Sequence, residues 1–307
     1  MNNDDILIQR MESEEPVYII ERDDDEIPSG PTDTPNGNKW KKWLLIAIGV
    51  ISLVALTYGA YKGRRLLKAR ELGITISVSP KDNINKLKQE PKQEEAEVVF
   101  TSDSVQGVHL DFYELHGLRA SIEFEEPDLS DDSVYLYCRS ADHMEDSTYL
   151  GTLVVNGEER RHTQSRLGYM AMVDDRMVIG VSPSEDVKDY VMENGGSFFR
   201  QFVLVSNGDV PPRFFLPGKY IRKAIGRKVD KNGDRLILIS TRDEVTVRDF
   251  AYALREYGFS DAIYITGGPN YCYYRSVDGK LHDIGNIIDY PYKMWKDIIP
   301  WLVFRKR

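Results

Sequence analysis

Eighteen consecutive residues without a charged side chain, Leu44 to Tyr61, constrain this chain more than any other feature. As an α-helix, at 1.5 Å per residue, the stretch spans about 27 Å, close to the ~30 Å hydrocarbon core of a bilayer. Trp43 precedes it and Tyr58 lies near its other end, where amphipathic rings favour the membrane interface. A cleaved signal peptide does not fit, because a long polar segment comes first. The sequence predicts one transmembrane helix, with basic flanks, over residues 39–70.

The basic residues beside this helix bear on its orientation. More of them follow the apolar stretch than precede it, which favours a cytoplasmic C-terminal side. Long domains, however, translocate largely regardless of local charge, so the count leaves the orientation open. The residues counted are Lys39, Lys41 and Lys42 before the stretch, and Lys62, Arg64, Arg65, Lys68 and Arg70 after it.

The segments on either side of the helix differ in character. Residues 1–38 are rich in acidic and turn-forming residues and are expected to form a disordered tail. After a short strand-like alternation at Ile74–Val78, the charged residues of 71–106 predict a linker or stalk. The remainder, 107–307, has the apolar content for one folded domain. The formal net charge of −9 argues against nucleic acid as a partner.

The pattern of apolar and polar residues in the folded part predicts short strands and two helices. Ser184 is a candidate N-cap for a helix ending at Glu193. The clearest unit is a helix, Val247–Tyr257, between two apolar strands, with Thr246 as N-cap and Gly258 as its stop. This strand–helix–strand pattern predicts a βαβ unit and a sheet that is in part parallel. We therefore expect an α/β fold in its mixed α+β form, with a mixed β-sheet.

Several chemistries find no support in the sequence. No Walker loop, dinucleotide glycine fingerprint, HExxH or GxSxG motif occurs. No metal site or cofactor is predicted. Cys138 and Cys272 are too few for a structural zinc site without borrowed ligands. They could pair in an oxidising compartment or remain two separate buried thiols, and the sequence leaves both alternatives open.

Three segments in the same order resemble a known family. They are FRQFVLVSNG at Phe199–Gly208, RKAIG at Arg222–Gly226 with the following strand, and the helix Val247–Tyr257 with the strand that ends at Gly268. The chain resembles, over roughly residues 107–285, the phosphodiester glycosidases, whose best-known animal member uncovers mannose 6-phosphate by removing an N-acetylglucosamine. It is also similar to a branch of single-pass proteins from Bacteroides-like bacteria.

The resemblance implies a set of candidate ligand-binding residues. Four of them, Gln201, Arg222, Gly267 and Gly268, fall on positions of the family's motifs. The guanidinium of Arg222 and the double-glycine turn, which take three of these positions, suit a phosphate group. Thr266 stands where the family has an aspartate. The candidates are Gln201, Arg222, Thr266, Gly267, Gly268 and Asn270.

Glycoside cleavage also needs a pair of carboxyl groups. With position 266 a threonine, they would have to come from elsewhere, and Asp142, Glu145 and Asp146 are candidates within an acidic loop. No residue is assigned as catalytic.

These implications give one functional expectation and two alternatives. We expect a bacterial protein held in the inner membrane by residues 44–61, with its domain outside the cytoplasm, acting on or binding a sugar phosphodiester or envelope glycan. The first alternative is a non-catalytic binding or scaffolding module on the same fold, with the aspartate lost at Thr266. The second is an adaptor that faces the cytosol.

Overall fold

A computed structural model describes residues 39–71, 73–74, 78–91, 93–141, 149–163, 165–214, 216–231, 233–266, 272–284 and 300–307. Within them the helices are Lys39–Glu71 (α1), Pro80–Lys88 (α2), Asp186–Glu193 (α3) and Val247–Tyr257 (α4). The strands are Glu97–Val105 (β1), Val108–His116 (β2), Leu118–Glu123 (β3), Val134–Arg139 (β4), Leu153–Val155 (β5), Glu158–Arg161 (β6), Gly168–Val173 (β7), Arg176–Val181 (β8), Ser197–Gln201 (β9), Val203–Ser206 (β10), Lys223–Asp230 (β11), Gly233–Thr241 (β12), Asp261–Ile265 (β13), Tyr273–Arg275 (β14), Leu281–Asp283 (β15) and Trp301–Lys306 (β16).

Helix α1 contains the predicted apolar stretch and extends beyond both of its ends. Its 33 residues give a length of about 50 Å. The part from Lys41 to Ala60 has a mean hydropathy of 2.1 and is fully exposed, so one helix is long and apolar enough to cross a membrane. By internal contacts the chain divides into residues 1–54 and 55–307, and the second unit contains the described strands. The predicted tail, 1–38, lies outside the described residues.

Three sheets form the folded domain. Their strand orders are β1-β2-β12-β11-β13-β10, β15-β14-β4-β16-β3 and β6-β5-β9-β7-β8. All three contribute to one central core, as Ile263, Leu136 and Phe199 illustrate. Helix α4 covers the outer face of the six-stranded sheet, and α2 and α3 pack on the outer face of the last sheet. The predicted class, α/β in its mixed α+β form, is confirmed.

The parallel strand pairing predicted for the strand–helix–strand unit around α4 is wrong for the described strands, because a third strand separates the two that the helix connects. β12 and β13 run in the same direction, but β11 lies between them and pairs antiparallel with both. The helix thus connects strands that are not neighbours, and each pairing among the described strands is antiparallel.

Local signals at the helix ends are mostly confirmed. The Thr246 hydroxyl accepts the N–H of Asp249 at 3.1 Å, and Gly258 ends α4 with a left-handed φ of +94°. Helix α3 begins at Asp186 and not at Ser184, because the Ser184 hydroxyl accepts the Asp186 N–H at 3.1 Å in the turn before the helix.

Part of the segment expected to be a linker forms regular structure. Leu87 of α2 is fully buried against the third sheet, and β1 pairs along its whole length with β2. Most of the strand-like stretch at Ile74–Val78 lies outside the described residues. An experiment on the domain therefore needs α2 as well as the strands.

Candidate functional site

The candidate residues that the structure describes, Gln201, Arg222 and Thr266, lie near the end of β13. Thr266 follows the strand directly, and its backbone N–H and its hydroxyl both lie within hydrogen-bond distance of the carbonyl oxygen of Ser140, at 3.2 and 3.4 Å. Ser140 in turn follows β4. The two chain segments that leave these positions therefore begin side by side. They carry the predicted glycines Gly267 and Gly268, the predicted Asn270 and the candidate acids Asp142, Glu145 and Asp146, all of which lie outside the described residues.

Arg222 lies on one flank of this point. It precedes β11, and the pairing of Lys223 with Ile265 continues to place Arg222 opposite Thr266. Its side chain is buried and donates from Nε to the carbonyl of Val245 at 3.3 Å and from Nη2 to that of Gly218 at 3.0 Å.

Nη1 of Arg222 also donates to the Tyr264 hydroxyl at 3.5 Å. Among the described residues, these three bonds leave two of the five guanidinium N–H groups without a partner. Arg222 therefore both supports the surrounding loops and keeps some capacity to bind an anion.

Gln201 lies on the other flank. It ends β9, and the next strand, β10, pairs with β13 on the side away from β11. The side chain has no exposed surface, yet neither its Oε1 nor its Nε2 has a hydrogen-bond partner among the described residues. Buried amides are almost always hydrogen-bonded, because each unsatisfied group costs about 1–3 kcal/mol. The partners of the Gln201 amide are therefore to be sought in a ligand or in residues outside the described part of the chain.

Two buried cations near this point were not predicted. Lys223 and Arg139 are 1% and 2% exposed, and both lie close enough to the Cys138 thiol to influence it. Burial and the neighbouring Cys272 raise the pKa of that thiol, while the two cations act in the opposite direction. For Arg139 the available sequence signal was a single arginine at the end of an otherwise apolar strand, whereas Lys223 begins a strand with other charged residues and had no such signal. Together with Arg222, which contacts Tyr264 on the α4 side of the six-stranded sheet, whereas Lys223 lies near Cys138 on the core side, these residues bring three buried cationic side chains to this end of the sheets.

A separate cavity of about 650 Å³ lies elsewhere, at the opposite end of β11. Its lining includes Arg227, which pairs with Asp261 at the start of β13, and Arg235, which forms an ion pair with Glu114. Its charges are largely neutralised by such pairs, and none of the predicted site residues lines it. In the described part of the chain, no cluster of three or more His, Cys, Asp or Glu side chains could hold a metal ion.

Comparisons with known proteins give one family match and two similar solved structures. A profile of the phosphodiester glycosidase family matches residues 140–292, which contain every candidate site residue. A solved structure of the zebrafish N-acetylglucosamine-1-phosphodiester alpha-N-acetylglucosaminidase catalytic domain, auto-inhibited by its pro-peptide, is similar at 14% identity and a TM-score of 0.48, covering 72% of this chain and 86% of that one.

A hypothetical protein from Synechocystis is similar at 10% identity and a TM-score of 0.46, covering 71% of this chain and 64% of that one. Comparison with curated protein sequences gave no significant match. The family profile, together with the motifs at the ends of β9, β11 and β13, gives the assignment: the chain contains a domain of the phosphodiester glycosidase family.

Proposed function

We propose that this protein is a membrane-anchored phosphodiester glycosidase that binds and hydrolyses a sugar phosphodiester in the bacterial cell envelope. Its site lies where β9, β11 and β13 end, between Gln201 and Arg222 and beside Thr266. Helix α1 holds the domain at the inner membrane, on the side away from the cytoplasm.

The observation that carries this proposal is the unsatisfied amide of Gln201. Among the described residues this side chain has no exposed surface and no partner for either polar atom, an arrangement that destabilises a domain unless a ligand or another segment supplies the hydrogen bonds. A sugar presents hydroxyl groups that both donate and accept, so it can satisfy the amide oxygen and the amide nitrogen together.

The local charge supports a phosphorylated ligand. Arg139, Arg222 and Lys223 bring three buried cationic side chains to one end of the sheets. A phosphodiester carries one negative charge, and binding it in a buried, positive region is favoured because water screens the attraction little there. The two N–H groups that Arg222 has not committed are available to phosphate oxygens.

The carboxyl groups for glycoside cleavage are assigned by this proposal to the segment after Ala141. Thr266 cannot act as an acid or base at neutral pH, and its contacts are with the Ser140 carbonyl. Because those contacts bring Ser140 to the end of β13, the acids that follow in sequence, Asp142, Glu145 and Asp146, are the ones nearest along the chain. They would serve as the general acid and its partner base or nucleophile.

The test is sugar release by the full-length protein in detergent micelles, measured with a panel of glycosyl phosphodiesters. Asp142→Asn, Glu145→Gln and Asp146→Asn should each be compared with Asp132→Asn, whose carboxylate is 98% exposed and which lies before the start of β4, at the end of that strand opposite Ser140. At least one of the first three should lower the rate about 100-fold or more, while the control keeps the wild-type rate. Wild-type protein that releases no sugar from any member of the panel contradicts the hydrolase.

The identity of residue 266 favours one alternative, a module that binds the sugar phosphodiester without cleaving it. Wild-type protein that binds members of the panel, with an affinity that Arg222→Ala lowers, but releases no sugar would establish this module in place of the enzyme.

A further inference from the structure

The loop before β11 contains a turn that fixes one exposed aromatic ring. Pro217 and Gly218 have the residue types of the two central positions of a type II turn, and Gly218 has the left-handed φ of +79° that such a turn requires. A β-carbon on Gly218 would lie 2.7 Å from the ring of Tyr220. Only glycine therefore lets the ring pack against this peptide.

The same ring is held at two further places. The backbone of Tyr220 exchanges two hydrogen bonds with Val245, at 3.2 and 3.0 Å. The guanidinium of Arg222 lies over the ring, 5.0 Å from its centroid, and is itself fixed by its bonds to surrounding carbonyl and hydroxyl oxygens. The Tyr220 backbone is thus held by Val245, one edge of its ring packs against Gly218, and one face of its ring packs against Arg222.

Despite these restraints, 54% of Tyr220 is exposed. A ring that packs to bury apolar surface would turn inward, and a ring left to solvent would need no special turn beneath it. Tyr252 on α4 is a useful contrast. It is also exposed and lies 4.9 Å from an arginine, Arg255, but it stands on a regular helix without a supporting turn.

We propose that Tyr220 is the platform on which the sugar ring of the ligand stacks, and so a residue that positions the ligand. This inference rests on the proposed function. One face of a pyranose consists of C–H groups, which pack on the electron-rich face of an aromatic ring. Because the ring is already immobilised, stacking costs little side-chain entropy. The Arg222 guanidinium lies 5.0 Å from the ring centroid on one face, and a sugar on the other face would stack about 4.5 Å from that centroid. A phosphate attached to this sugar can extend past the edge of the ring toward Arg222.

The test compares four full-length proteins in detergent micelles: wild type, Tyr220→Ala, Tyr220→Phe and the matched control Tyr252→Ala. Affinities are measured by ligand-observed NMR for glycosyl methyl phosphates, for the corresponding methyl pyranosides and for dimethyl phosphate, which has no ring. Thermal unfolding of each variant establishes that it is folded.

Tyr220→Ala should weaken binding of both sugar-bearing ligands about tenfold and leave dimethyl phosphate unchanged, since only the stacked face is lost. Tyr220→Phe and Tyr252→Ala should match wild type. Equal affinity of Tyr220→Ala and wild type for the glycosyl phosphates overturns the platform and leaves the proposed function standing.

Two further outcomes separate the claims. An equal loss of dimethyl phosphate binding in Tyr220→Ala also overturns the platform, because the ring would then act only by holding Arg222. In another outcome, wild type binds the methyl pyranosides but neither phosphate ligand, and Tyr220→Ala no longer binds the pyranosides. This outcome supports the platform and overturns the proposed phosphodiester function. No binding of any ligand by wild type overturns both.

Discussion

Replacing Gln201 by methionine should stabilise the ligand-free protein while removing its function. Methionine has nearly the same length and shape as glutamine but no group that needs a hydrogen bond. In the described residues, the Gln201 amide oxygen and nitrogen are both buried and both unpartnered. Each such group costs about 1–3 kcal/mol, so removing both while keeping the packing should raise the free energy of unfolding by about 2 kcal/mol. For a domain of this size, that raises Tm by roughly 4–8 °C.

The measurement is thermal unfolding of the full-length protein in detergent, followed by circular dichroism, together with binding of a glycosyl phosphodiester. Gln201→Met should melt above wild type and lose at least tenfold in affinity. Thr241→Val is the matched control, since Thr241 is equally buried but its Oγ1 accepts the backbone N–H of Arg222 at 2.9 Å. Valine there leaves that N–H unpaired, so this variant should melt below wild type by an amount equivalent to about 1–3 kcal/mol.

A lower Tm for Gln201→Met would refute the reasoning, because it would mean that the amide makes hydrogen bonds in the free protein and is structural. A higher Tm with unchanged ligand affinity would show that the unsatisfied amide is not used in binding, and the proposed site would lose its main support.

Three further predictions concern the surroundings of the site. Arg222→Ala removes three hydrogen bonds and should lower the free energy of unfolding, measured by urea titration, by about 2–4 kcal/mol. Arg222→Lys should restore only part of this free energy, because an ammonium group cannot reproduce the planar set of N–H donors of a guanidinium. Asp261→Asn breaks the ion pair of a fully buried carboxylate with Arg227 and should cost about 3–5 kcal/mol in the same titration; a cost below 1 kcal/mol would contradict the pairing. Burial tends to raise the pKa of the Glu159 carboxyl, but the hydrogen bond from Lys188 outweighs burial, and the pKa in the folded protein is lowered. The pair therefore stabilises the fold at pH values above the unfolded-state pKa of 4.5. This stabilisation is lost as the pH falls through the lower pKa of the folded protein. Glu159→Gln should therefore flatten the dependence of Tm on pH in the acid range, and an unchanged acid slope would contradict the assignment.

Features that depend on neighbouring residues were predicted well. The α4 helix has its cap, apolar face and stop within fourteen residues of sequence, Thr246 to Phe259, and each forms as expected. The apolar helix likewise needs no tertiary contact to be recognised, since its composition alone meets the requirement for crossing a bilayer. Local chemistry determines both.

Features that depend on strand order were not predicted correctly, and the expected parallel pairing beside α4 is wrong for the described strands. The sequence between Arg235 and Ile265 specifies two strands and a helix, but not that β11 pairs between them, because antiparallel partners are chosen by tertiary packing. The approach of Ser140 to Thr266 joins positions 126 residues apart, and no local pattern encodes it. Nor does sequence spacing reveal that Lys223 is buried at the site. Its neighbours in sequence predict only a strand.

The two cysteines offer a test of the side of the membrane on which the domain lies. Cys138 and Cys272 are both buried, and both are free thiols in the structure. The pairing of Tyr273 with Tyr137 continues to place them opposite each other, and the two thiols influence each other electrostatically. In the envelope, a disulfide oxidoreductase could accept their two electrons and two protons during folding, whereas the cytosol keeps such thiols reduced.

Because we propose that the domain lies outside the cytoplasm, we expect the two cysteines to form a disulfide. Protein isolated from membranes without reductant, then denatured and treated with maleimide, should therefore incorporate no label. The same protein reduced before denaturation should incorporate two labels per chain, which serves as the control. Two labels without reduction would contradict the envelope placement and favour a domain facing the cytosol, because a facing pair that folds in an oxidising compartment has little to prevent its oxidation.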